Sequence, residues 1–329
     1  MEPILEVRDL RTQFITEGTV IPAVDGVDFS VEAGKTLGIV GESGCGKSVT
    51  SLSIMRLIPS PPGEIVGGSV LVSGRDILQL SEKEMRGVRG KDISMIFQEP
   101  MTSLNPCFTI GNQMTEALRV HEKLSKKDAK EKVLEMLGKV SISRPKAIYK
   151  SYSYELSGGM RQRIMIAMAL LCQPKILIAD EPTTALDVTI QIQILELMKQ
   201  LQRENNTAVI IITHDLGVIA EMAEKVAVMY AGKIVEYGTC VEIFDTPLHP
   251  YTKGLHNSTP KISGGLKRLE AIPGMVPNLA NKISGCAFKT RCADAMPHCG
   301  ETCPALMDAG NGHLVRCWKY CDNKTNNID

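Results

Sequence analysis

Short, largely apolar runs alternate with longer stretches of helical period over the first three-quarters of the chain. Thr36–Val40 (TLGIV), Lys175–Ala179 and Ala208–Thr213 (AVIIIT) have the length and β-branched content of strands covered on both faces. Val49–Leu57, Ser157–Leu171, Val188–Glu204 and Leu216–Glu221 carry apolar residues at helical spacing. Strand runs also fall at Leu5–Val7, Gly26–Val31, Ser69–Val72 and Asp92–Phe97, and Val226–Tyr230 with Lys233–Tyr237 predicts a hairpin across Ala231-Gly232. Pro59–Gly68, rich in proline and glycine, is expected to be a loop. Between about residues 100 and 155 the pattern becomes helical, at Thr109–His121 and Asp128–Val140, with Ser125-x-x-Asp128 as a capping box for the second. The alternation predicts an α/β fold on a largely parallel sheet.

Periodicity fades after about Gly254, where Pro, Gly and Cys take over. The expected division is a main domain over 1–255 containing a helical insert, a Cys-rich region over 256–321 and a disordered polar tail over 322–329.

Charge removes one class of function. Lys and Arg together number 37, as do Asp and Glu, so the chain lacks the basic excess of a nucleic-acid binder. No apolar run approaches the roughly 20 residues that span a bilayer, and the first residues lack the basic and apolar regions of a signal peptide. A cytosolic chain is expected, whose ten cysteines serve as thiols or metal ligands rather than in disulfides.

The candidate chemistry begins at Gly41-Glu42-Ser43-Gly44-Cys45-Gly46-Lys47-Ser48, which reads G-x-x-x-x-G-K-S between a strand and a helix. Glycines let successive N–H groups point at an anion, and the following helix adds its positive end. Lys47 can reach the β- and γ-phosphates, and the Ser48 hydroxyl can ligate Mg2+. The same helix end could lower the pKa of Cys45, although a small side chain without a role of its own is the simpler reading. A second signal is Ile176–Ala179 ending in Asp180-Glu181. Ligands of open α/β sheets bind beyond the carboxyl ends of strands, so Asp180 can serve Mg2+ and Glu181 can polarise a water. A third is Leu156-Ser157-Gly158-Gly159-Met160, another glycine-rich helix start.

In this combination the chain resembles the nucleotide-binding subunit of ATP-binding cassette (ABC) transporters over about residues 4–255. The resemblance includes Gln98, the Leu156–Met160 signature, Asp180-Glu181, the loop Ala185-Leu186-Asp187 and Thr213-His214-Asp215. It implies a nucleotide-triphosphatase core with an N-terminal antiparallel β-subdomain, a helical insert and a small Cys-rich C-terminal extension. It also implies two subunits facing head to tail, each ATP lying between one phosphate loop, Gly41–Val49, and the other subunit's signature. By that resemblance Ser157, Gly158 and Gly159 serve the partner's ATP, and Asp187 lies across the seam. Glu181 and His214 hold the attacking water, Gln98 contacts Mg2+ and that water, and Phe14 stacks on adenine. Glu99–Asn105, beside Gln98, is where permeases would dock. A single chain is expected to bind ATP and hydrolyse it poorly.

Within that family, Glu242-Ile243-Phe244, His249-Pro250-Tyr251-Thr252, Ile272–Pro277 and Gly285-Cys286-Ala287-Phe288-x-x-Arg291-Cys292 resemble the oligopeptide/dipeptide importer branch, as do Cys299 and His313-x-Val315-x-Cys317. The resemblance implies two permease subunits, an extracytoplasmic peptide-binding protein, a related second ATPase and a peripheral place on the cytoplasmic face of the membrane. Nickel or another solute as cargo, or a soluble ATPase outside transport, are the alternatives. Cys286, Cys292, Cys299 and Cys317 match the branch, with Cys303 and Cys321 additional. Their wide gaps lack the tight pairs of structural zinc and suit a [4Fe–4S] cluster, leaving Zn2+ and free thiols as alternatives.

Overall fold

A computed structural model of the chain describes residues 2–98, 103–183, 187–258, 271–281 and 283–321. The strands in chain order are β1 (Leu5–Thr16), β2 (Thr19–Val31), β3 (Thr36–Val40), β4 (Gly63–Val72), β5 (Arg75–Asp76), β6 (Ile93–Ile96), β7 (Ile176–Asp180), β8 (Ala208–Ile212), β9 (Lys225–Tyr230), β10 (Lys233–Thr239), β11 (Met307–Asp308) and β12 (Leu314–Val315). The chain divides into two compact units. One comprises Met1–Leu5, Val31–Thr36 and Leu71–Ile212, and the other Glu6–Ser30, Leu37–Val70 and Thr213–Asp329.

The first unit holds three parallel strands, with Ile93 opposite Ile176 and Ile176 opposite Ala208. Every residue of β6, β7 and β8 is buried, which explains their largely apolar composition, Ser94 and Asp180 apart. The helices Gly158–Leu170 and Val188–Asn205 supply apolar faces, including Ile164, Ile166, Ile194 and Leu201. The insert contains the helices Ile110–His121 and Lys126–Lys139. Ser125 caps the second by accepting the Asp128 N–H at 3.2 Å. The Asp128 carboxylate bonds the Ser125 hydroxyl, so only half of the expected capping box forms.

In the second unit β1 and β2 form a hairpin through Glu17-Gly18, both at positive φ, and β4 neighbours β1. These strands overturn two expectations. Leu5–Val7 and Gly26–Val31 are only the ends of 12- and 13-residue strands. The stretch read as a loop, Pro59–Gly68, enters β4 at Gly63. A Cβ at Gly68 (φ 90°) would lie 2.5 Å from the Asp9 carbonyl oxygen, so that glycine serves close strand approach. β3 pairs in parallel with β9, and β9 turns antiparallel into β10 through Ala231 (φ 49°) and Gly232 (φ 80°), as a tight hairpin requires. The Cys-rich segment joins this sheet: β12 runs antiparallel to β10, with Val315 opposite Glu236, and β11 pairs with β12. The expected disordered tail, 322–329, lies outside the described residues.

Candidate nucleotide site

The buried strand β3 delivers the chain into Gly41–Ser48. Gly46 has φ 106°, and a Cβ there would come within 2.4 Å of the Ala23 carbonyl oxygen, so only glycine fits. The helix Lys47–Ile54 then starts with no side-chain cap and no acid in its first turn. Its N–H groups and positive end are thereby left to the loop. Lys47 is 6% exposed and donates from Nζ to the carbonyl oxygens of Gly41 (2.8 Å) and Glu42 (2.9 Å). Cys45 is fully buried, and burial pushes its thiol up despite Lys47 beside it. The suggested activation of Cys45 is therefore absent, because desolvation outweighs the neighbouring charge. Phe14 is half-buried on β1.

The loop is also held from behind. The Glu42 N–H donates to the Tyr251 hydroxyl at 2.8 Å. The Glu42 carboxylate receives both terminal nitrogens of Arg291, at 2.5 and 2.9 Å. Arg291 Nε donates to the Pro273 carbonyl at 2.9 Å, and its side chain is 4% exposed. The Glu42 contact raises the Arg291 pKa, keeping the guanidinium charged. Tyr230, Tyr251 and Phe288 form an aromatic cluster with ring centroids 4.6–5.4 Å apart. The Arg291 guanidinium lies 5.8 Å from the Tyr230 ring centroid. Nearby, fully buried Glu236 accepts the N–H groups of Leu248 (2.7 Å) and His249 (2.9 Å) and pairs with His313 Nε2 at 2.8 Å. His214 is exposed after β8, and the following Asp215 caps the helix Leu216–Met222 through Gly217 N–H at 2.8 Å.

In the other unit β7 ends in the buried Asp180, and Glu181 follows at φ 49° with its N–H on the Ile212 carbonyl at 2.8 Å. Gln98 Nε2 donates to Glu181 Oε2 at 3.2 Å, so these two expected site residues do meet. Ser157 caps the helix Gly158–Leu170 by accepting Met160 N–H at 3.3 Å, with Gly158 exposed beside it. Asp187 caps the helix Val188–Asn205 through Ile190 N–H at 3.0 Å. Ala185 and Leu186, and residues 99–102 of the expected docking stretch, lie outside the described residues.

Cys286, Cys292, Cys299 and Cys317 line one cavity with Phe288, Met296 and Trp318. Burial raises the pKa of Cys286 to about 11 and raises those of Cys292 and Cys317. Among the described residues, however, no group of three or more His, Cys, Asp or Glu side chains is placed to hold a metal ion. The geometry thus gives the expected metal site no support of its own. Two sulfurs of the segment engage backbone. Cys299 Sγ accepts Met296 N–H at 3.5 Å within its own turn, and Cys321 Sγ contacts the Cys317 carbonyl at 3.6 Å.

In the sequence Tyr251 and Arg291 are only marks of the tail, without a function. The available signal was an acid inside an anion-binding loop, which calls for a cation somewhere in the fold.

Residues 24–184 match the family profile described as ABC transporter. The chain is 53% identical to the dipeptide transport ATP-binding protein DppD of Bacillus subtilis, covering 97% of this chain and 95% of that protein. The oligopeptide transport ATP-binding protein AppD of the same organism is 52% identical, with 97% and 98% covered. The chain belongs to the ABC transporter ATPases. Its branch is given by residues 235–299, which match the C-terminal region of oligopeptide/dipeptide transporters. The fold of this ABC ATPase agrees. The dimeric post-hydrolysis structure of the ATP-binding cassette MJ0796 with ADP and phosphate has a TM-score of 0.65 at 25% identity, covering 72% of this chain and 98% of that one. The cbiO1 cassette from Clostridium perfringens has a TM-score of 0.63 at 25% identity, covering 75% and 92%. Among the described residues no helix is long and apolar enough to cross a membrane.

Proposed function

We propose that this ABC ATPase energises the import of di- or oligopeptides, binding MgATP through Gly41–Val49 and docking on permeases at the cytoplasmic membrane face. The observation that carries the peptide assignment is the match of 235–299 to the oligopeptide/dipeptide region, joined to relatives of that description over nearly the whole chain. Lys47 and Ser48 serve the phosphates and Mg2+, with Asp180 and Gln98 as further Mg2+ contacts, and Phe14 takes the adenine. Glu181 activates water with His214, and Ser157–Gly159 and Asp187 serve a second, related ATPase subunit. A separate extracytoplasmic protein captures the peptide, and the Cys-rich region 256–321 is an appendage to the ATPase body. The test is uptake of a labelled dipeptide by cells lacking the gene and carrying either wild type or Glu181→Gln. Restored uptake with wild type alone supports the reading. Uptake of nickel instead, or no membrane association of the protein, overturns the cargo or the transport assignment respectively.

The shared cavity of Cys286, Cys292, Cys299 and Cys317 supports a second element. Four thiols lining one cavity, with wide sequence gaps and no tight pair among them, suit a [4Fe–4S] cluster better than Zn2+. A cluster would supply the cations that hold these thiols as thiolates and would staple a tail with little core. Iron and sulfide analysis of anaerobically purified protein, beside Cys286→Ser, tests this. Zinc or no metal in wild type rejects it.

A further inference from the structure

We propose that Arg291, in the Cys-rich segment and outside every nucleotide motif, is a positioning residue for the phosphate loop. The proposal rests on Gly41–Ser48 being the MgATP loop. Its ground is an electrostatic problem inside that loop. Glu42 places a carboxylate, 28% exposed, in a curl whose purpose is to attract phosphates. Left alone, that charge repels the ligand and leaves the loop free to open outward. Arg291 answers both difficulties. Its two terminal nitrogens take both carboxylate oxygens, a bidentate grip that only a guanidinium provides. Its own orientation is fixed by the Pro273 carbonyl, the Tyr230 hydroxyl at 3.4 Å, and the faces of Tyr230 and Phe288.

Tyr251 holds the backbone of the same residue. Glu42 is therefore clamped at its N–H by one element and at its carboxylate by another. Two of the loop's carbonyls, Gly41 and Glu42, are those that receive Lys47 Nζ. The position of Glu42 thus sets where the phosphate-binding lysine rests. Phe288, from the tail, packs against both Tyr230 and Tyr251, so one segment supports the side-chain clamp and buttresses the backbone clamp. The inferred consequence is that nucleotide affinity depends on how this segment is seated.

The experiment is equilibrium binding of MgATP to the purified full-length chain, with thermal melting in parallel. Arg291→Met keeps an apolar stem against the rings and removes the charge. It is expected to weaken ATP binding about tenfold, as an ion pair broken at a partly buried site does. Arg291→Lys, with charge but no fork, falls between the two. Adding Glu42→Gln to Arg291→Met removes the unpaired carboxylate and returns affinity to within about threefold of wild type, a coupling that independent losses do not show. A merely structural Arg291 would lower the melting temperature of both variants without that rescue. The inference is overturned if Arg291→Met binds ATP like wild type, or if the second substitution adds to the loss. Should Arg291→Met fail to fold, Arg291→Lys carries the test, and wild-type affinity there overturns the proposal. If wild type binds no MgATP while remaining folded, the assignment of the loop fails first, and this inference with it.

Discussion

Two glycine-rich helix starts in this chain solve the same problem by opposite means. The signature Ser157–Gly159 is self-sufficient: its serine caps its own helix, and nothing lies within 4 Å of a Cβ built at Gly158. The phosphate loop has no side-chain cap and takes positive φ at Gly44 and Gly46. It is held by residues remote in sequence, among them Gly232, Tyr251 and Arg291. A helix start that donates to its own serine keeps its shape without the fold. One that keeps its N–H groups for an anion needs the fold to hold it open. The difference teaches which site a distant mutation will damage.

The contrast breaks most visibly at Lys47. Lys47→Ala should lower ATP affinity of the isolated chain by about two orders of magnitude, through lost charge-assisted contacts. Ser157→Ala should leave that affinity unchanged while slowing hydrolysis by the assembled transporter. Nucleotide titration and phosphate release check the pair. Next in size, Gly46→Ala should destabilise by about 2–3 kcal/mol, since it combines a strained φ with a backbone clash. Gly158→Ala should instead raise the melting temperature slightly, by reducing unfolded-chain entropy. Equal effects of the two substitutions in thermal melts would remove the distinction.

A pH experiment sharpens the long-range half. His249 is buried, its Nδ1 accepts Tyr251 N–H at 3.0 Å, and burial lowers its pKa from 6.5 to about 3. Between those values the unfolded chain takes up a proton that the folded chain refuses, so stability falls as pH drops below 6.5. The slope attributable to this residue is at most about 1.4 kcal/mol per pH unit. His249→Gln, which can still accept from Tyr251, should flatten that slope between pH 7 and 5 in urea titrations. The smallest effect is local: Ser157→Ala should cost about 1 kcal/mol of stability as a lost cap.

What the sequence disclosed follows the same line. The buried strands, the hairpin at Ala231-Gly232 and the glycine-rich helix starts are written in neighbouring residues, and the structure repeats them. Gln98 and Glu181 are 83 residues apart, and only the family resemblance brought them together before the fold did. Arg291 with Glu42 and His313 with Glu236 were not legible, because charge alone does not name a partner 249 or 77 residues away. The opening of β4 was misread because Gly67 and Gly68 resemble loop residues. Their lack of side chains lets the β4 backbone close on Arg11 and Asp9. The thiols were read as a set, and the structure does gather them round one cavity, but spacing carries no information about sulfur orientation.

The tie between Glu42 and Arg291 also has a bearing on how the protein is made. The loop emerges from the ribosome early, and the residue that grips it follows 249 residues later. At 5–20 residues per second that interval is on the order of 10 to 50 s. Throughout it the nascent chain carries a phosphate loop with an unpaired carboxylate and no Tyr251 behind it. Translation order thus leaves Glu42 without its clamp until the segment carrying Arg291 has been made.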